Sequence, residues 1–157
     1  MDDPTAERID LPEGYGTAKR TMEWAAVRER LEQAPRYWLV TNRRDGRAHV
    51  VPVDGVWLDD TWWYGGSPTT LHQRNLEHDQ RVVVHLEDTM SAVILEGTMR
   101  RVVPPPELTR RLKEASKAKY GYGPPPAAYA AGLWALRPDR ARAWSAFPDD
   151  VTRFRFG

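Results

Sequence analysis

The sequence contains no cysteine. Disulfides, thiolate–metal sites and a cysteine nucleophile are therefore excluded, and a reducing, intracellular setting is favoured. Excess charge is also missing: 23 Lys and Arg stand against 22 Asp and Glu, for a formal net charge of +1. That balance exerts no long-range pull on nucleic acid or anionic lipid, so neither is an expected partner. No apolar run approaches the roughly 18 residues of a membrane span. The opening Met-Asp-Asp-Pro-Thr-Ala-Glu-Arg lacks the basic start and apolar stretch of a secretory signal. These absences predict a soluble, cytoplasmic protein. The chain has no Gly-x-Ser-x-Gly elbow and no Ser-x-x-Lys in a suitable context, which argues against covalent hydrolysis. Its four histidines, His49, His72, His78 and His85, are not paired at i, i+4, so no metal site is expected.

What is present is tryptophan, seven of them in 157 residues. Trp carries a large buried area and few polar demands, so most of the seven belong in a core or at an interface. The length fits one domain, with residues 1–20 as a flexible arm and residues 21–157 as the folded unit. Pro4, Pro12, Gly14 and Gly16 are the reason for reading the first stretch as an arm. Thr21 caps a predicted helix to about Gln33, with Trp24, Val27 and Leu31 on one face. Pro35 ends it.

From Tyr37 to Val103 the pattern is that of β-hairpins. β-branched and aromatic runs alternate with Gly, Asp and Asn clusters. Strands are predicted over 37–41, 47–58, 61–65, 81–86 and 92–103. Arg44-Asp45-Gly46 and Asp59-Asp60 form the first two turns. Pro52 and Gly55 mark a bulge or bend in the long second strand, and Gly97 marks one in the fifth. A short helix over 69–77 interrupts the series. After Pro104-Pro105-Pro106 a helix spans 107–120, ended by Gly121. Residues 127–131 make a short helical turn, followed by strands over 133–136 and 142–146 and an alternating tail over 151–156. The expected fold is mainly β (α+β): a small antiparallel barrel with flanking helices.

Three groups of residues attract chemical attention. Gly65-Gly66-Ser67-Pro68-Thr69-Thr70 leads into the short helix, with Arg74 one turn further. Two glycines permit close approach of a ligand, and hydroxyls at a helix start favour an anion. The same residues also describe an ordinary capped helix with a solvated arginine. His85 and Glu87 share one strand face, a pair that more often bonds structurally than catalytically. The aromatic set Trp57, Trp62, Trp63, Tyr64, Trp134, Trp144 and Phe147 fits a core and a dimer interface, or stacking on a flat ring. Arginines at 100–101, 110–111 and 137–142 are interspersed with acids and read as solvated surface.

In order, the features from residue 35 to 103 resemble the pyridoxamine 5′-phosphate oxidase-like family, the flavin-binding split barrels. The motifs carrying the resemblance are the Asp-Gly-Arg-Ala-His turn, Val-Trp-Leu-Asp-Asp-Thr-Trp-Trp-Tyr, Thr-Leu-His-Gln-Arg-Asn-Leu and Arg-Val-Val-Val-His-Leu. The late Trp144 and Thr-Arg-Phe-Arg-Phe tail are similar to a bacterial subgroup. The resemblance implies a homodimer of six-stranded split barrels with cofactors in clefts at the interface. FMN is the implied cofactor, with the deazaflavin coenzyme F-420 as the alternative. His49, Val51, Pro52, Val53 and Asp54 would line the ring. Gly65, Gly66 and Ser67 would meet its ribityl turn. Thr70, His72, Arg74 and Asn75 would hold the phosphate, and Trp144 would cover the ring. No side chain of the chain itself is implied as catalytic.

The resemblance also exposes a departure. Family oxidases carry Ser-Arg-Lys where this chain has Thr70-Leu71-His72, and a basic residue where it has Asp54. A phosphate loses much of its charge complement by those changes. The implied activity is hydride transfer with a small organic substrate. The alternative is a split barrel that binds a cofactor or other ligand without turnover.

Overall fold

A computed structural model describes residues 2–157. Among them are ten strands and four helices. Strand β1 (Thr5–Arg8) precedes helix α1 (Trp24–Gln33), which is followed by β2 (Tyr37–Asn42), β3 (Ala48–Val53), β4 (Val56–Leu58) and β5 (Thr61–Tyr64). Helix α2 (Leu71–His78), β6 (Arg81–His85) and β7 (Val93–Val102) come next. The last third holds α3 (Pro106–Tyr120), α4 (Pro126–Ala131), β8 (Leu133–Leu136), β9 (Arg140–Ala143) and β10 (Thr152–Arg155).

All strand pairings are antiparallel, in the order β1-β10-β9-β7-β6-β2-β3, with β4, β5 and β8 forming a second branch from β7. Strand β7 is the hinge of this arrangement. Its first half pairs with β9 through Val93–Glu96, and its second half with β8 through Met99–Val102. Gly97 lies between the two halves. A Cβ there would stand 2.9 Å from Leu136 Cδ1 and 3.2 Å from the Asp139 amide. The bend predicted at Gly97 is thus where one strand passes from one sheet to the other, which splits the barrel.

The predicted strand over 47–58 is broken into β3 and β4 at Asp54-Gly55. A Cβ on Gly55 would fall 2.3 Å from Trp62 Nε1, so only glycine passes over that indole. Asp59 and Asp60, at φ 53° and 51°, then make the two-residue turn between β4 and β5. Both carboxylates are used. Asp60 accepts from Trp24 Nε1 and Arg28 Nε on α1, and Asp59 takes a two-pronged contact from Arg111 on α3 at 2.7 and 2.8 Å.

The main core fills the barrel. It gathers Trp24, Val27 and Leu31 of α1 with Tyr37, Leu39, Trp62, Leu95 and Phe154 from the strands. A second, smaller core lies on the outer side of β4, β5 and β8. There Val56, Trp63, Leu133 and Ala135 are covered by Leu112 of α3 and Tyr129 of α4. Lys119 fastens α3 to the barrel, its ammonium donating to Tyr37 Oη at 2.7 Å over the Tyr37 ring.

Residues 2–20 are more than an arm, and residue 1 of that stretch lies outside the described residues. Thr5–Arg8 pair with Thr152–Arg155, Ala18 is buried, and the Lys19 and Arg20 amides donate to Asp149 O. Glu7 beside Arg153 and Arg155 adds charge complementarity to that pairing. The alternating tail is therefore an interior strand, flanked by β1 and β9.

Candidate functional site

The cover that α3 and α4 form over β4, β5 and β8 is incomplete. It leaves a cleft of about 610 Å³. Its floor is Trp63, Leu133 and Trp134, and its far wall is Leu112, Ser116 and Tyr129. The turn from Tyr64 to Pro68 closes one end, and the 122–125 connection between α3 and α4 forms the lip. The size and mostly apolar lining, with a few hydroxyl, amide and charged groups, are those of a small-molecule site.

Two tyrosines anchor the lip to the β3–β4 break. Tyr120 Oη donates to Gly55 O at 2.8 Å and accepts from Gly55 N–H at 3.0 Å. Tyr122 Oη donates to Asp54 Oδ2 at 2.5 Å, while Arg36 Nη1 donates to Asp54 Oδ1 at 2.8 Å. Asp54 is therefore a tether at the cleft mouth.

Of the residues expected from sequence to hold a cofactor, Asp54, Gly65, Gly66 and Ser67 come together in this cleft. The glycines are there for a different reason from the one expected. A Cβ on Gly65 would stand 2.7 Å from Leu133 Cδ2, and one on Gly66 would stand 2.2 Å from Tyr64 Oη. Packing within the chain already requires both glycines, and ligand approach is not needed to explain them.

The expected phosphate segment lies beside the cleft. Its side chains are mostly occupied. Asn75 Nδ2 donates to Thr41 Oγ1 at 3.0 Å, in the core. His72 Nε2 lies 2.6 Å from Tyr64 Oη and 3.3 Å from Thr70 Oγ1. His49 stacks parallel to His72 with ring centroids 6.3 Å apart. Burial, and secondarily the neighbouring His49, push the His72 pKa below its ordinary value. Burial likewise raises the Tyr64 pKa, so its hydroxyl stays protonated beside the neutral imidazole. Arg74 is exposed on the far side of α2 from this cluster.

Strand β3 divides its side chains by face. Val53 is buried in the barrel and Val51 packs against it, while Val50 and Pro52 are exposed. Among the described residues β3 pairs with β2 alone, so its other edge has free backbone groups. Trp144 lies elsewhere, edge-on to Phe147 with its carbonyl accepting from Arg30. It follows Ala143, which is paired with Val93, whereas the cleft's Trp134 is paired with Arg101. Eight residues of β7, with the bend at Gly97 between them, separate the two positions, and Trp144 does not line the cleft. His85 stacks on Trp38 and its Nδ1 contacts Leu86 O, contacts that do not involve Glu87. Among the described residues no three His, Asp or Glu side chains gather as metal ligands. No helix there is long and apolar enough to cross a membrane.

Sequence reasoning missed Gln73, Arg101, Tyr120, Tyr122 and Tyr129 as site residues. Gln73 Oε1 accepts from Trp134 Nε1 at 2.7 Å, and Arg101 lies over the Trp134 ring at 4.7 Å. The first contact joins α2 to β8 across 61 residues, and the second follows from the pairing of β7 with β8, where Arg101 stands opposite Trp134.

A two-branched antiparallel barrel, divided at Gly97 and carrying a cleft under a helical cover, defines a split β-barrel protein. A family model for pyridoxamine 5′-phosphate oxidase matches residues 24–145, and the chain belongs to that family. No curated protein matches the sequence. Similar solved structures include the conserved hypothetical protein Rv2991 of Mycobacterium tuberculosis, at 21% identity and TM-score 0.65, covering 81% of this chain and 87% of that one. Another is a heme binding protein from Mycobacterium smegmatis, at 20% identity and TM-score 0.65, covering 86% of this chain and 59% of that one. A third is HupZ from Group A Streptococcus, at 13% identity and TM-score 0.61, covering 87% of this chain and all of the other. At these identities the likeness is one of fold.

Proposed function

We propose that this protein is a flavin- or deazaflavin-dependent oxidoreductase that transfers hydride to or from a small organic substrate. The observation that carries the reading is the cleft itself. About 610 Å³ bounded by Trp63, Tyr64, Trp134 and Tyr129 accommodates a planar conjugated ring. When bound, FMN, or coenzyme F-420 in its place, would supply the hydride chemistry. The protein's share is binding, orientation and exclusion of water. The Tyr120 and Tyr122 tethers hold the lip over the ring.

The protein would act as a cytoplasmic homodimer. Trp144 does not line the cleft of its own chain, which leaves it available to cover a ring bound by a second copy. The exposed Val50 and Pro52 on β3 suit a covered surface. The ring fits the residues present better than the phosphate does. With His72 neutral and Asn75 committed to Thr41, the α2 segment holds no fixed cation inside the cleft.

That same neutrality favours a second reading, in which the barrel binds a flat ligand without turnover. One structurally similar protein is a heme binding protein, so a porphyrin belongs in the ligand panel. Oxidation of protein-bound reduced cofactor by quinones and enones separates the two. Turnover with any acceptor supports the oxidoreductase. Tight binding with inertness toward every acceptor supports the carrier.

A further inference from the structure

We propose that Arg101, rather than the α2 segment, receives the anionic group of the ligand, and that this group is a phosphate on the side arm of a planar ring. The proposal rests on the reading of the cleft as a ring-binding site. Among the lining residues Arg101 is the one Lys or Arg. The fold holds its side chain in place from two sides. On one, the guanidinium lies 4.7 Å from the Trp134 ring centroid. On the other is Gly132, where a Cβ would come 2.9 Å from Arg101 Cγ and where φ is +97°. The stem is sandwiched, so the planar fork is oriented before a ligand arrives.

Most of the fork remains available. Nη2 donates to Glu77 Oε1 at 2.7 Å and Nη1 makes a long contact to Gly132 O at 3.4 Å, with no acceptor among the described residues for the other N–H groups. The Glu77 side chain is 61% exposed, so its pair with Arg101 is weak and exchangeable. A phosphate offers the same fork more charge and more acceptor oxygens. Ser67 and Gln73 line the same cleft and add polar contacts. The position also answers the loss of basic residues at Leu71 and His72: the cation has moved from the helix to the strand facing it. The competing explanation is a cross-strand cation–π pair that only holds β7 to β8.

The test compares FMN with riboflavin, which share a ring and differ by the phosphate. In the native protein FMN should bind at least about tenfold more tightly. Arg101→Gln should bring the two affinities to within about twofold while leaving riboflavin unchanged. Glu77→Gln, which removes a competing carboxylate from an exposed site, should tighten FMN alone. Arg74→Gln should leave the ratio as it is. Equal weakening of both ligands in Arg101→Gln, or no change with Glu77→Gln, overturns the proposal and leaves Arg101 a structural residue. A ratio abolished by Arg74→Gln returns the phosphate to α2. If the native protein binds neither flavin nor a deazaflavin, the cleft reading falls and the proposal falls with it.

Discussion

The hydroxyl of Tyr120 closes a two-way hydrogen bond with the backbone of Gly55. It donates to the carbonyl at 2.8 Å and accepts from the amide at 3.0 Å. A tyrosine 65 residues away thus satisfies both backbone polar groups of Gly55, one of the two residues between β3 and β4. The bond joins the end of α3 to the β3–β4 break, and so sets the width of the cleft mouth.

Tyr120→Phe should therefore cost about 1–3 kcal/mol, because it leaves a buried amide and carbonyl without partners. Urea unfolding of the native and substituted proteins measures the difference. The same variant should weaken ligand binding through a looser lip. Unchanged stability would mean that water takes over both bonds.

Gly55→Ala should be far more damaging than Gly46→Ala. At Gly55 the new methyl would fall 2.3 Å from an indole nitrogen in the core. At Gly46, with φ +85°, nothing lies within 4 Å, and the cost is the left-handed backbone alone, about 1 kcal/mol. Expression and thermal unfolding of the pair give the ranking. A Gly55→Ala protein as stable as Gly46→Ala would show that β3 and β4 can rejoin into one strand.

The buried imidazole of His72 makes stability depend on pH. Its folded pKa is lowered by burial, below the ordinary 6.5. As pH falls through 6.5 the unfolded chain takes up a proton that the folded protein resists, so stability is lost. The loss continues until the folded pKa is reached and then levels off, and the full contribution is present above the unfolded pKa. His72→Gln retains a hydrogen-bonding partner for Tyr64 and removes the titration. Urea midpoints between pH 8 and 5 should fall more steeply for the native protein than for the variant. Parallel curves would show that the imidazole protonates freely in the folded state.

Much of the barrel was legible in local sequence. Asp59-Asp60 and Asp45-Gly46 announced the hairpins, because their backbone geometry demands particular residues. Trp24, Val27 and Leu31 announced the inner face of α1. The break at Gly55 was visible only as a bend, since its cause is the indole of Trp62, brought close by tertiary packing. Strand β1 was missed because Thr5–Arg8 has no apolar alternation, and its pairing rests on backbone bonds and on Glu7 between two arginines. The candidate site was legible where it follows the chain, at Asp54 and Gly65–Ser67. Arg101 was not, because a double arginine in a strand looks like solvated surface until its cross-strand partner proves to be Trp134. The helical cover was hidden for a similar reason. Nothing in the spacing of α3 and α4 says which sheet face they leave half covered.

Whether the cleft under α3 and α4 binds a flavin-type ring decides between an oxidoreductase and an unrelated use of the barrel. Titration of the ligand-free protein with FMN and then with coenzyme F-420, followed by fluorescence, tests this most directly. The account predicts micromolar or tighter binding of one of them, near −8 kcal/mol, abolished when Ala128 at the cleft wall is replaced by Trp to fill the space. Binding of neither cofactor, or binding indifferent to the filled cleft, would contradict it.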